Sequence, residues 1–200
     1  MIDKTVPHIG VLMIKTDLDI YPRFTLPDGY IISGYKPGFE NDWAKLMFEA
    51  GLTESLNEAE KIFRDEFLSI PELLPEQCLF VLDASGGIAA AASVWPGGKH
   101  FGRELLRIHW VACAEEHQGK GLVKVLLTSL LDIVSGLGYR DILYLTSQTW
   151  SYKALGLYSR FGFVPYKGEK PVNWKAENFE QETKAAWTLI DEKIEEYKKK

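Results

Sequence analysis

The chain of 200 residues is poor in the side chains that build metal centres and disulfide frameworks, with two cysteines and four histidines. Cys78 and Cys113 lie far apart in sequence and each sits in an apolar run, so they offer neither a ligand spacing nor a staple. A reducing, cytoplasmic setting without a bound metal is the expectation. Long apolar runs are missing as well. The N-terminal stretch Ile9–Ile14 is too short to span a bilayer and lacks the layout of a signal peptide, which predicts a soluble chain with no membrane partner. Nor is there a block of one charge. The 23 basic and 28 acidic residues are spread along the chain, and the net charge of −5 argues against a nucleic-acid partner. Internal repeats and low-complexity tracts are absent.

What is present is enough apolar material, 46% of residues, to bury a substantial core in one domain. Residues 1–29 are punctuated by Pro7, Pro22, Pro27 and Gly29 and read as an N-terminal extension packed on the domain, with a short strand at Gly10–Lys15. Strands are predicted at 30–35, 78–83, 87–95, 104–113, 141–147 and 163–167. Helices are predicted at 41–50, 57–68, 120–137 and 150–161, from apolar residues at helical spacing. A last helix, 177–197, carries the stripe Phe179, Ala186, Trp187, Ile190, Ile194 and Tyr197, which packs on the domain or, in the alternative, on a second copy. Residues 30–175 are thus the expected domain and 176–200 a C-terminal amphipathic helix. The element order predicts an α+β (mixed α/β) fold whose central strand-helix-strand unit is parallel.

The most informative segment is the turn His117-Gln118-Gly119-Lys120-Gly121-Leu122-Val123, between strand 104–113 and helix 120–137. A glycine turn that leaves a strand and opens a helix presents backbone N–H groups and the positive end of a helix dipole, which suits a phosphate. The segment lacks the G-x-x-x-x-G-K-[ST] pattern of a P-loop and the complete G-x-G-x-x-G fingerprint of a dinucleotide site. By itself it is equally a tight connector.

Gln118-Gly119-Lys120-Gly121-Leu122-Val123 resembles the Q/R-x-x-G-x-G/A motif of the Gcn5-related N-acetyltransferases (GNAT), which bind the pyrophosphate of acetyl-coenzyme A. Ser151-Tyr152-Lys153-Ala154-Leu155-Gly156-Leu157-Tyr158-Ser159-Arg160-Phe161-Gly162-Phe163 is similar to that family's second signature. One strand lies between the two, as in the family. The resemblance covers residues 78–167 and extends less specifically back to Tyr30. It implies a central, mostly antiparallel sheet with a parallel, splayed strand pair flanked by helices. Two positions depart from the pattern: Val123 stands where a small residue is expected, and Ser151 where many relatives have Asn.

On this resemblance acetyl-CoA is the acyl donor and an amine the acceptor. Gln118, Gly119, Lys120, Gly121, Leu122, Val123 and Lys124 would hold the pyrophosphate. Ser151 would reach the pantetheine arm, and backbone amides of Val111, Ala112 and Cys113 would pair with the pantetheine and polarise the thioester carbonyl. Alternation along the strand places Leu106, Ile108, Trp110 and Ala112 on an apolar face, and Arg107, His109, Val111 and Cys113 on a mixed one. His109 is the candidate general base, because imidazole titrates near neutrality; the plain alternative is a packed histidine. Glu104, Glu115 and Glu116 are fallback bases. The resemblance gives Tyr158 contact with the cofactor and the role of protonating the departing thiolate, against the alternative of a core tyrosine. Glu49, Glu54, Glu58, Asp65 and Glu66 could attract a cationic amine. The expected activity is acetyl transfer to a primary amine by direct attack in a ternary complex. The rival is a non-catalytic acyl-CoA-binding or regulatory module of the same fold.

Overall fold

The computed structural model describes residues 2–98 and 100–199. Seven strands are ordered β2-β3-β4-β5-β6-β1-β7: β1 (Gly10–Lys15), β2 (Ile31–Gly34), β3 (Cys78–Leu82), β4 (Ile88–Pro96), β5 (Leu106–Cys113), β6 (Leu143–Gln148) and β7 (Val164–Pro165). The helices are α1 (Phe39–Glu49), α2 (Leu56–Ile62), α3 (Leu74–Gln77), α4 (Leu122–Gly136), α5 (Tyr152–Arg160) and α6 (Phe179–Lys198). The β1–β6, β1–β7, β2–β3 and β3–β4 pairs are antiparallel, whereas β5 and β6 run parallel with Arg107 opposite Tyr144. The fold is the mixed α+β architecture that the element order predicts. It forms two compact units: residues 1–21, 96–107 and 140–200 in the first, and 22–95 and 108–139 in the second.

In the second unit, β3 is buried at every position, and β4 carries four consecutive alanines, Ala89–Ala92, all buried. Helix α4 buries Leu122, Leu126, Leu130 and Val134 together with Val125, Leu127 and Leu131, the stripe expected of an amphipathic helix laid on a sheet. Ser55 caps α2 by accepting the Glu58 N–H, and the Glu58 carboxylate accepts the N–H of Glu54, the residue before the cap, so the entry to the helix is tied down locally.

The sequence predicts one helix over 57–68. The structure interrupts it after Ile62 with a π turn, Phe63–Phe67, closed by the Leu68 N–H on the Phe63 carbonyl at 3.2 Å. The wider turn still buries Phe63 and Phe67 around Trp43, with ring centroids 5.1 and 5.4 Å away. Such turns recur at functional sites, and this one carries Glu66.

In the first unit, strand β1 of the N-terminal segment pairs with β6 along its whole length, from Gly10 opposite Gln148 to Lys15 opposite Leu143. Helix α6 starts at an Asn178 cap and packs on α5 and β1 through Phe179, Ala186, Trp187 and Ile190. Ile194 lies over Gly156, where an added Cβ would come within 3.3 Å of it. The predicted stripe ends there. Tyr197 is exposed, with the Lys153 ammonium 4.7 Å from its ring centroid. No helix among the described residues is long and apolar enough to cross a membrane.

Candidate active site

The second unit carries the strand, the turn and the helix that the sequence singles out. Helix α4 begins at Gly121, with φ 83°, and no side chain caps its first turn. Gly119 is also left-handed, with φ 78°, and an added Cβ at either glycine would meet no atom within 4 Å. Glycine is therefore required here by backbone conformation and not by crowding. The Gln118 amide donates to the Cys113 carbonyl at 3.3 Å and ties the turn back to the end of β5. Lys120 donates to the Tyr30 hydroxyl at 2.9 Å, and that hydroxyl is 2.8 Å from His117 Nδ1. Lys124 sits with its ammonium 5.2 Å from the centroid of the Phe24 ring. Leu122 is buried and Val123 half-buried.

On β5 the alternation fails at Trp110, a non-glycine residue with φ 47°. A left-handed residue of this kind costs on the order of 1–3 kcal/mol and survives only where the surroundings hold it. Here Trp110 Nε1 donates to Glu66 Oε2 at 3.3 Å, and its ring packs 5.6 Å from that of Trp43. His109 Nε2 lies 2.5 Å from the same carboxylate oxygen. The adjacent residues His109 and Trp110 thus reach one acceptor, which corrects the expectation that they point to opposite faces. Ala112 is buried in the aromatic cluster with Trp43, Phe67 and Trp95. The buried Ser93 hydroxyl donates to the His109 carbonyl at 2.9 Å and fixes the backbone beneath the imidazole.

Because a carboxylate only accepts, the short contact makes His109 Nε2 the donor and sets the imidazole tautomer. The His109 side chain is 13% exposed and that of Glu66 35% exposed, so the pair is sheltered yet open at one end. Phe67 and Trp110 flank the imidazole with ring centroids 6.2 and 5.3 Å away. The other carboxylates expected to attract an amine, Glu49, Glu54, Glu58 and Asp65, are exposed. The fallback bases Glu104, Glu115 and Glu116 are exposed too. Val111 and Cys113 are half-buried, and burial pushes the Cys113 thiol up to about 11.

The first unit holds the second signature. Ser151 ends a short 3-10 turn before α5, and its hydroxyl accepts from the Gln148 amide at 3.3 Å. Tyr158 is 7% exposed, and burial raises its phenol above the ordinary value, so it stays protonated at neutral pH. Among the described residues no group of three or more His, Cys, Asp or Glu side chains is placed to hold a metal ion.

A family model, the acetyltransferase (GNAT) family, matches residues 38–163. The chain belongs to this family. No curated protein sequence matches it. Among solved structures, it is similar to a GCN5-related N-acetyltransferase from Sphaerobacter thermophilus: 20% identity, TM-score 0.61, covering 80% of this chain and 49% of that one. A tandem GNAT protein from the clavulanic acid biosynthesis pathway has 16% identity and TM-score 0.55, covering 82% and 52%. Glucosamine-6-phosphate N-acetyltransferase from Arabidopsis thaliana has 20% identity and TM-score 0.50, covering 75% and 98%. These identities speak for the fold alone. The chain spans about half the length of the Sphaerobacter and tandem proteins.

Two features escape periodicity. Glu66 reads as a solvated helix position, because a carboxylate partner 43 residues from His109 leaves no local signal. The Tyr30–His117 contact spans 87 residues and is equally silent in the sequence.

Proposed function

We propose that the chain is an N-acyltransferase that moves an acetyl group from acetyl-CoA to a primary amine by direct attack in a ternary complex. The observation that carries this reading is the uncapped, doubly left-handed glycine turn at the start of α4, which follows the strand that bears His109 with its Glu66 partner. The backbone N–H groups of Gly119–Val123 would take the pyrophosphate, with Lys120 and Lys124 supplying point charges; the Lys124 N–H is already donated to the Gly121 carbonyl at 2.9 Å. Ser151 keeps the pantetheine contact that the resemblance gives it. Amides of Val111, Ala112 and Cys113 would pair with the pantetheine and stabilise the oxyanion.

The amine lone pair attacks the thioester carbonyl, forming the C–N bond as the C–S bond breaks. The proton lost by the attacking nitrogen passes to the His109–Glu66 pair, and the CoA thiolate leaves as the thiol on taking up a proton, the role that the resemblance gives Tyr158. Direct attack is favoured over an acyl-cysteine route because burial holds the Cys113 thiol protonated, with its value up at about 11.

The test is thiol release from acetyl-CoA across a panel of amines that includes glucosamine-6-phosphate, the substrate in the name of the Arabidopsis protein. Release that depends on a particular amine is expected. CoA binding with no amine-dependent release from any class would overturn the reading and favour a non-catalytic binding module.

A further inference from the structure

Four side chains of the second unit form a directed chain of contacts beside the phosphate turn. Lys120 projects from between the two left-handed glycines and is exposed. Its ammonium donates to the Tyr30 hydroxyl at 2.9 Å and lies 5.6 Å from the centroid of the Tyr30 ring. The Tyr30 oxygen is 2.8 Å from His117 Nδ1, and His117 Nε2 is 3.5 Å from Asp83 Oδ2.

Lysine only donates and a carboxylate only accepts. A neutral His117 with its hydrogen on Nε2, the nitrogen that faces Asp83, leaves Nδ1 to accept from the Tyr30 hydroxyl, whose oxygen in turn accepts from Lys120. Asp83 is itself anchored, since its other oxygen accepts the Ser85 N–H, the Ser85 hydroxyl and the Gly87 N–H in the β3–β4 turn. The His117 side chain is 15% exposed and that of Asp83 26% exposed, so the far end of the chain is sheltered while the lysine end is open. A flexible four-carbon side chain that grows from the turn is thereby held in one place, at the cost of its rotamer freedom before any ligand arrives.

We propose that Tyr30, His117 and Asp83 are positioning residues that hold the Lys120 ammonium at the turn for a phosphate of the acyl donor. The inference rests on the acyl-CoA reading above and adds to it a division of labour: the relay sets affinity for phosphate and leaves the rate of acyl transfer alone. Tyr30 is the hinge, because one oxygen serves both neighbours.

Calorimetric titration of the full chain with CoA and with pantetheine, which lacks the phosphates, tests this. Tyr30→Phe keeps the ring and removes both hydrogen bonds. It is expected to weaken CoA about three- to tenfold, less than the full worth of a hydrogen bond to a charged group because the exposed Lys120 ammonium is also solvated, and to leave pantetheine unchanged. In the acyl-transfer assay KM for acetyl-CoA rises by the same factor while kcat holds. Lys120→Met weakens CoA similarly, and adding Tyr30→Phe to it changes nothing more. His117→Gln, read alongside, is expected to give a smaller loss than Tyr30→Phe. The proposal is overturned if Tyr30→Phe binds CoA as the unaltered chain does, or if its loss persists in full in the Lys120→Met background. A chain that binds no CoA at all would instead overturn the acyl-CoA reading itself.

Discussion

Replacing Glu66 by Gln is the sharpest probe of the chemistry, because it keeps shape and removes only the charge. In the structure one carboxylate oxygen accepts from His109 Nε2 at 2.5 Å and from Trp110 Nε1 at 3.3 Å. The amide oxygen of Gln can still accept both, so orientation survives while charge assistance is lost. A hydrogen bond to a charged group contributes about 1.5–3 kcal/mol and a neutral one about 0.5–1.5, a difference of roughly 1–1.5 kcal/mol. If the pair takes the amine's proton in the transition state, that difference appears in kcat as a loss of about five- to tenfold. KM for acetyl-CoA should not move, since the phosphate turn is untouched. The Glu66 side chain is 35% exposed, so screening limits the effect on stability to under about 1 kcal/mol. The assay is steady-state thiol release with the best amine, run on Glu66→Gln, His109→Ala and the double variant. His109→Ala should also slow turnover at neutral pH with acetyl-CoA affinity nearly intact. The double variant should be no slower than His109→Ala, because the carboxylate acts through the imidazole. Unchanged kcat in Glu66→Gln, or additive losses in the double variant, would refute the reasoning.

Other outcomes follow from single contacts. Gly121→Ala meets no steric obstacle, yet it puts a Cβ on a residue with φ 83°. The left-handed penalty of about 1–2 kcal/mol should lower Tm by a few degrees, and acetyl-CoA KM should rise more than kcat falls; a Tm equal to that of the unaltered chain would refute it. Glu40 has its carboxyl held below the ordinary value of 4.5 by its own backbone N–H, with the Tyr35 hydroxyl and Gly38 N–H helping and burial opposing. The folded chain therefore takes up this proton less readily than the unfolded one. The stability Glu40 lends is complete above that ordinary value and drains as pH falls through the folded one. Glu40→Gln should flatten the acid limb of a plot of Tm against pH, and an acid limb as steep as before would contradict the assignment. Burial raises the Cys78 thiol further than that of Cys113, which is pushed up to about 11. Iodoacetamide at neutral pH should thus label neither while a free model thiol reacts, and fast labelling of Cys113 in the folded chain would reopen the acyl-cysteine route.

How far the sequence could be read depended on how local each signal was. The Gly119–Gly121 turn, the strands predicted at 78–83 and 87–95 and the stripe of α4 are written within a few residues of themselves. Glycine conformation, apolar runs and helical period were enough to find them. Strand β1 was legible as a strand, but not its place between β6 and β7, since pairing partners leave no mark on a short apolar run. The helix predicted over 57–68 shows the limit from the other side. Its apolar spacing, Ile62, Phe63 and Phe67, suits an α-helix, and only packing around Trp43 decides that the turn opens to the π form. That change and the left-handed Trp110 bring a carboxylate and an imidazole to one point, and each departs from the regular period that made the rest readable. A strictly alternating β5 would send His109 and Trp110 to opposite faces and leave Glu66 at most one of them. Locally regular sequence therefore built the scaffold, and the candidate catalytic pair exists where two elements break their own pattern and meet.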